Sequence, residues 1–412
     1  MPVTSSQTFV ILGAGLAGGR AAESLRARGF DGRVVLVGEE PDGPYERPQL
    51  SKEVLAGRKT ADQTLLRPAV RWRDDGIELV TSTRAVRILP HERAVLLSDG
   101  GRLVADKLLL ATGVRARRLD VPGAELAGVH SLRTLADAVA IRAHLEPGAP
   151  VVVVGAGFIG SEAAASAREA GCPVTVLEPQ PVPLRAVLGN RLGVAYAGYH
   201  RRRGVDMRTG VGVRRIEGDG RVRAVIATDG SRIDAACVVV GVGVEPMDDL
   251  ATDAGIDTAD GIVVDAFCRT SLPGVYAAGD VARAPNPYFG APARVEHWQN
   301  AQNQGVAAAG SMLGDRTEFA EVPWFWSDLY DLNLQVAGVP GRADRMVLRG
   351  DPDDERFCAF YLRDGALVGA LAVNRPRDLR AAMSLIRSGA AVDPQQLGDD
   401  DIDLRGLTRV RS

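Results

Sequence analysis

The chain has 412 residues, 46% of them hydrophobic and 5% aromatic, with a net charge of −3. That is enough to bury more than one core, so two or three domains are expected, and the near-neutral charge argues against nucleic acid or an anionic membrane as the main partner. No apolar run reaches the roughly 18 residues of a bilayer span. The opening MPVTSSQTFVILGAG lacks the basic stretch of a signal peptide, and its apolar run is already a first strand, so a cytoplasmic protein is expected. Cys172, Cys237, Cys268 and Cys358 lie far apart without a CxxC or CxxxxC pair, so neither a local metal motif nor a redox-active disulfide is legible.

Phe9-Val-Ile-Leu leads into Gly13-Ala-Gly15-Leu-Ala17-Gly18, then a helical stretch AAESLRARG, a strand RVVLV and Glu39. In such a strand–turn–helix the first glycine allows the tight turn, the second lets backbone approach a pyrophosphate, and the third lets helix pack on strand. The helix N-terminus then faces the phosphates. The same device returns at Val151–Val154, Gly155-Ala-Gly157-Phe-Ile-Gly160, the helix SEAAASAREAG, the strand PVTVL and Glu178. A glycine-rich turn alone is weak evidence, but here strand, helix, second strand and an acid about 20 residues on all keep the fingerprint's spacing. Glu178 is placed to bind a ribose diol and to repel the extra phosphate of NADP. Two fingerprints mean two dinucleotides, and the pairing that makes chemical sense is FAD in the first and NADH in the second.

Between the fingerprints, Pro and Gly break regular structure through residue 48, after which Ser51 is placed to cap a short helix. Only three lysines occur, Lys52, Lys59 and Lys107, against 46 arginines, so Lys52 in this loop stands out. Residues 62–100 read as a helix or loop and then short strands, a small β layer around Ala85. Lys107-Leu-Leu-Leu-Ala-Thr112-Gly113 reads as a buried strand ending in a turn, and Arg133 precedes a helix leading to the second fingerprint. Past it, Val205–Val244 completes the NADH domain, with Gly241-Val-Gly243 a close backbone approach, and Gly274-Val-Tyr-Ala-Ala-Gly279-Asp280 returns the chain to the first domain. Glu296-His297-Trp298 opens another helix. The end of the chain, from Val322-Pro-Trp324-Phe-Trp326-Ser-Asp328, reads as strands, a hairpin at Arg-Asp-Gly and a basic helix, a small third domain.

These segments resemble the FAD-dependent ferredoxin reductases, the class of putidaredoxin reductase and the reductase components of Rieske-type dioxygenases. PYERPQLSKEVL is similar to their PYxRPPLSK loop, GAGFIGSE to GGGYIGLE, VYAAGD to their FAD-binding GD motif, EHWQNAQNQG to ExWxNAxxQG and PWFWSDLYD to PxFWSDQY. Gln49 and Ser161 depart from the pattern. The resemblance implies an α/β fold: two Rossmann-like, glutathione-reductase-like domains (FAD, 1–112 and 247–320; NADH, 113–246) plus a small α/β C-terminal domain (321–412). It implies hydride transfer from NADH to FAD and single-electron delivery to a [2Fe-2S] ferredoxin serving a monooxygenase or dioxygenase, and it is compatible with a monomer.

Position by position, it implies FAD contacts at Ala17, Glu39, Lys52, Ala85, Arg133, Asp280 and Trp298, with Arg47 and Thr112 nearby, Glu296 in the same motif as Trp298, and Trp326 bordering the flavin. Glu162 would stand beside Lys52 where nicotinamide stacks, the ammonium steadying charge on the reduced flavin. Arg375, Arg377, Arg380 and Arg387 are a candidate patch for an acidic ferredoxin, with a solvated helix face as the alternative. A rubredoxin reductase, a monodehydroascorbate reductase, an NADH oxidase and an apoptosis-inducing-factor-like scaffold share the layout.

Overall fold

Strand Thr8–Leu12 points Phe9 and Ile11 to one side and Val10 and Leu12 to the other, and all four are buried, as a central parallel strand requires. In the computed structural model, which describes residues 7–407, it is the middle of the sheet that founds the first of two units. That unit comprises the chain up to Glu46, Thr64–Arg115 and Glu245–Pro323. Its strands run Val275–Ala277, Lys107–Leu110, Thr8–Leu12, Arg33–Val37, Ile77–Val80, all parallel. Helices Leu16–Ala27 and Trp298–Leu313 share the core of Phe9 and Ile11, while Val10 and Leu12 meet a small antiparallel sheet of Ala85–Leu89, Ala94–Leu97 and Arg102–Val104. Ile77–Val80 thus belongs to the main sheet and not to the small β layer where the sequence placed it. The preceding helix Ala69–Asp74 is the crossover that a parallel neighbour of Arg33–Val37 needs.

The second unit, Arg47–Gln63, Ala116–Val244 and the chain from Trp324 onward, repeats the plan. Its parallel sheet runs Asp206–Thr209, Val174–Glu178, Val151–Val154, Cys237–Val240, Val129–Ser131. A separate antiparallel sheet, Val213–Asp219, Arg221–Ala227 and Arg232–Asp234, closes over Val152 and Val154. The C-terminal sheet is antiparallel, in the order Trp324–Leu329, Leu332–Gly338, Ala366–Val373, Phe357–Arg363, Arg345–Arg349. Leu192, Tyr196 and Tyr199 of helix Arg185–Arg202 share one apolar core with Leu334, Phe357 and Leu371 of that sheet. The Arg-Asp-Gly hairpin forms as read, with Asp364 and Gly365 both at positive φ. Among the described residues no helix is long and apolar enough to cross a membrane.

Candidate active site

Each fingerprint loop excludes a side chain where the backbone folds on itself and leaves one open where a ligand must come close. A Cβ on Gly13 would lie 2.1 Å from the Ala111 carbonyl oxygen, and one on Gly18 would lie 2.0 Å from that of Gly13, yet Gly15 has nothing within 4 Å. The second loop repeats this: a Cβ at Gly160 would lie 2.1 Å from the Gly155 oxygen, while Gly157 faces open space. Gly15 and Gly157 cap helices Leu16–Ala27 and Phe158–Glu169 without a side-chain bond, and neither first turn carries an acid. The leading N–H groups therefore remain available to an anion, and both cradles fit a pyrophosphate.

The acids after the two second strands differ. Glu178 is buried, with one carboxylate oxygen accepting from the Ala156 N–H at 2.7 Å and the other from the Gln180 N–H at 2.8 Å, so it is fixed beside the glycine loop. Glu39 is exposed.

In the second unit the chain builds a buried ion cluster. Leu50–Val54 winds into a wide, π-type helical turn, and its Lys52 is 9% exposed. The ammonium lies 3.4 Å from Oε1 of Glu162, 3.1 Å from Oδ2 of Asp328 and 5.5 Å from the Trp326 ring centre. Glu162, on helix Phe158–Glu169, accepts from the Ser51 hydroxyl at 2.5 Å and the Ser327 hydroxyl at 2.6 Å. Burial pushes its carboxyl above the ordinary range, against the pull of Lys52 and the two hydroxyls. Ser51 is thus a Glu162 ligand and not the helix cap expected from sequence.

Strand Trp324–Leu329 explains the rest by its alternation. Phe325 meets Phe158 edge-on at 4.7 Å and Ser327 reaches Glu162, while Trp324, Trp326 and Asp328 share the other face. The two tryptophan rings stack at 5.4 Å. Sequence reasoning found Lys52, Glu162 and Trp326 and missed Ser51, Ser327 and Asp328. Period-two alternation through WFWSD was the available signal for Asp328.

Arg47 and Arg133 come together, Nη1 of the first donating to the carbonyl of the second at 2.7 Å. Gly243 sits at positive φ beside Arg117. Gln49, a departure from the family pattern, accepts from the Lys59 ammonium at 3.0 Å.

In the first unit, Ala17 is buried against Gly279 and Gly305, whose added Cβ atoms would come within 2.9 Å and 2.3 Å of it. The Gly279 N–H donates to Gln304, and Arg294 joins the Asp280 carbonyl to the Glu296 carboxylate. Trp298 opens its helix half-buried, the Thr112 hydroxyl donates to the Met247 carbonyl, and Ala85 is buried in the apolar layer.

Arg375 is held by Asp378 and Asp400 at 2.5 Å each, so it leaves the basic patch expected on the last long helix; Arg377, Arg380 and Arg387 are exposed. All four cysteines are free and buried, and burial raises the Cys237 and Cys268 thiols to about 12, far from thiolate chemistry.

The pyridine nucleotide-disulphide oxidoreductase model matches residues 7–305 and the reductase C-terminal model residues 324–408. The chain belongs to the pyridine nucleotide-disulphide oxidoreductase family. Within that family it is 43% identical, over 97% of its length and 99% of the relative, to the anthranilate 1,2-dioxygenase system ferredoxin–NAD(+) reductase component of Burkholderia cepacia. It is 41% identical to rhodocoxin reductase of Rhodococcus erythropolis, over 97% of this chain and 93% of that one. The crystal structure of the covalent putidaredoxin reductase–putidaredoxin complex superposes with a TM-score of 0.95 at 35% identity, covering 98% of each chain. This chain has the expected fold, Rossmann-like parallel-sheet domains and a C-terminal domain.

Proposed function

We propose that this oxidoreductase is an FAD-dependent ferredoxin reductase that takes hydride from NADH and passes electrons singly to a [2Fe-2S] ferredoxin feeding a monooxygenase or dioxygenase. The observation that carries this reading is the full-length likeness to reductase components that pair NAD(+) with ferredoxin. The two open-faced glycine cradles, one in each unit, support it.

FAD goes with residues 1–112 and 247–320, where Gly13, Gly15 and Gly18 admit its pyrophosphate and Glu39, Asp280 and Glu296 offer carboxylates. NADH goes with residues 113–246, at Gly155, Gly157 and Gly160, and residues 321–412 form the C-terminal domain. When bound, FAD supplies the conversion of a two-electron donor into single-electron steps. The chain supplies placement and charge. Glu178, pinned by two backbone N–H groups, would hydrogen-bond the ribose diol of NADH, and its negative charge would disfavour the extra phosphate of NADPH. Lys52, held by Glu162 and Asp328 in a mostly desolvated setting, stabilises negative charge that grows beside it. NADH is a cytoplasmic reductant, and a cytoplasmic location goes with this reading.

Cytochrome c reduction by NADH, with and without an added [2Fe-2S] ferredoxin, tests the proposal. A rate that depends on ferredoxin supports it. A rate that ferredoxin leaves unchanged would assign the chain to direct diaphorase or oxidase chemistry.

A further inference from the structure

The Lys52 ammonium has two carboxylates, and the nearer one is not the buried partner. Asp328 Oδ2 stands at 3.1 Å and Glu162 Oε1 at 3.4 Å. Asp328 is itself anchored, since its other oxygen accepts from Asn333 Nδ2 at 2.6 Å. Asn333 Oδ1 accepts from Gln335 Nε2 at 2.6 Å, and Gln335 Oε1 from Trp324 Nε1 at 3.3 Å. This ladder crosses the hairpin of Trp324–Leu329 and Leu332–Gly338, where Asp328 pairs with Asn333 and Trp326 with Gln335. The Asp328 side chain is 46% exposed and that of Glu162 only 5%, so the ammonium joins a wet carboxylate to a dry one.

From this geometry we propose that Asp328 is a positioning residue that draws the Lys52 ammonium away from Glu162, so that the C-terminal hairpin sets how much countercharge the buried carboxyl receives. Among the described residues Glu162 has no other cation as a partner; its remaining donors are the neutral hydroxyls of Ser51 and Ser327. The other ionisable groups in reach act weakly on the balance. Glu53, in the Lys52 turn, feels Asp328 but is tied to Arg58, and Tyr196, behind helix Phe158–Glu169, is a neutral phenol. With Asp328 neutralised the ammonium has one carboxylate left. Glu162 then gains countercharge and loses a neighbouring negative charge, and both effects favour its ionised form.

The inference rests on the proposed function for its meaning but not for its test. The protonated carboxyl of Glu162, identified in infrared difference spectra by its loss in Glu162→Gln, is titrated in the purified FAD-loaded protein without NADH or ferredoxin. In Asp328→Asn its midpoint is expected to fall by about one unit, the lower end of what one adjacent charge does. Asp328→Glu restores it, and Asn333→Ala, which only loosens the anchor, moves it less in the same direction. An Asp328→Asn midpoint equal to that of the unaltered protein overturns the proposal. Should Asp328→Asn fold poorly, an unmoved midpoint in Asn333→Ala overturns it instead. A shifted midpoint with an unshifted pH profile of flavin reduction by NADH leaves Asp328's role standing and removes the Lys52–Glu162 pair from the hydride step.

Discussion

Lys52 is one of three lysines in an arginine-rich chain, and that scarcity makes it legible in the sequence alone. A compact ammonium fits between two carboxylates and a ring where a planar guanidinium fork does not. Lys52→Met should therefore slow flavin reduction by NADH about 100-fold or more while leaving FAD bound, as measured by anaerobic stopped flow. An unchanged rate would remove Lys52 from the chemistry. Alternation through WFWSD puts Asp328 on the face of Trp326, but its role was not legible, because that depends on a hairpin partner, Asn333, and on which strand face packing turns toward Lys52.

Ser161 marks a different limit. It stands where the family pattern has Leu, and its buried hydroxyl is close enough to that of Tyr196 to act on the phenol, yet neither reaches hydrogen-bonding geometry with a partner among the described residues. A buried phenol of that kind costs stability, so Tyr196→Phe should raise the unfolding free energy by about 1 kcal/mol in urea titrations. A loss of stability would mean that the hydroxyl is satisfied, by water or by Ser161.

Helix Arg185–Arg202 carries the attachment of the C-terminal sheet to the second unit's parallel sheet, and its charges make that attachment sensitive to acid. Arg203, just past the helix, pairs with Glu355 at 2.8 Å, and its guanidinium holds that carboxyl down to about 2. A lowered carboxyl favours the folded chain fully above its ordinary range near 4, and the contribution is lost as pH falls toward 2.

His200, buried on the same helix with Nδ1 3.0 Å from the Tyr330 hydroxyl, is pushed down to about 4 by burial. It favours the folded state fully above the ordinary histidine value of about 6.5, and that contribution drains away as pH falls through 4. His297, also lowered to about 4, acts likewise in the first unit. Urea midpoints should thus fall between pH 6.5 and 4 and again below 4. Glu355→Gln should remove part of the lower step, and His200→Gln part of the upper one. A flat profile down to pH 4 would contradict this. Of these elements the Arg-Asp-Gly hairpin was legible from turn chemistry, but the membership of Ile77–Val80 in the main sheet was not, since four residues, one buried, one exposed and two half-buried, carry too little pattern to choose a sheet.

At the scale of the whole molecule the repeated glycine fingerprint revealed two dinucleotide modules, because each glycine answers a steric demand that local sequence alone imposes. The interleaving was harder to read. Arg47–Gln63 lies between two segments of the first unit yet groups with the second, where Ser51 and Lys52 meet Glu162, a pairing settled by contacts more than 100 residues apart in sequence. The account requires a chain that accepts hydride from one carrier and releases it as separate electrons to another. The direct measurement is anaerobic titration of the FAD-loaded protein with NADH in the presence of excess oxidised [2Fe-2S] ferredoxin. The account predicts two ferredoxins reduced for each NADH consumed, whereas NADH consumption with the ferredoxin left oxidised, or a purified chain that takes up no flavin, would contradict it.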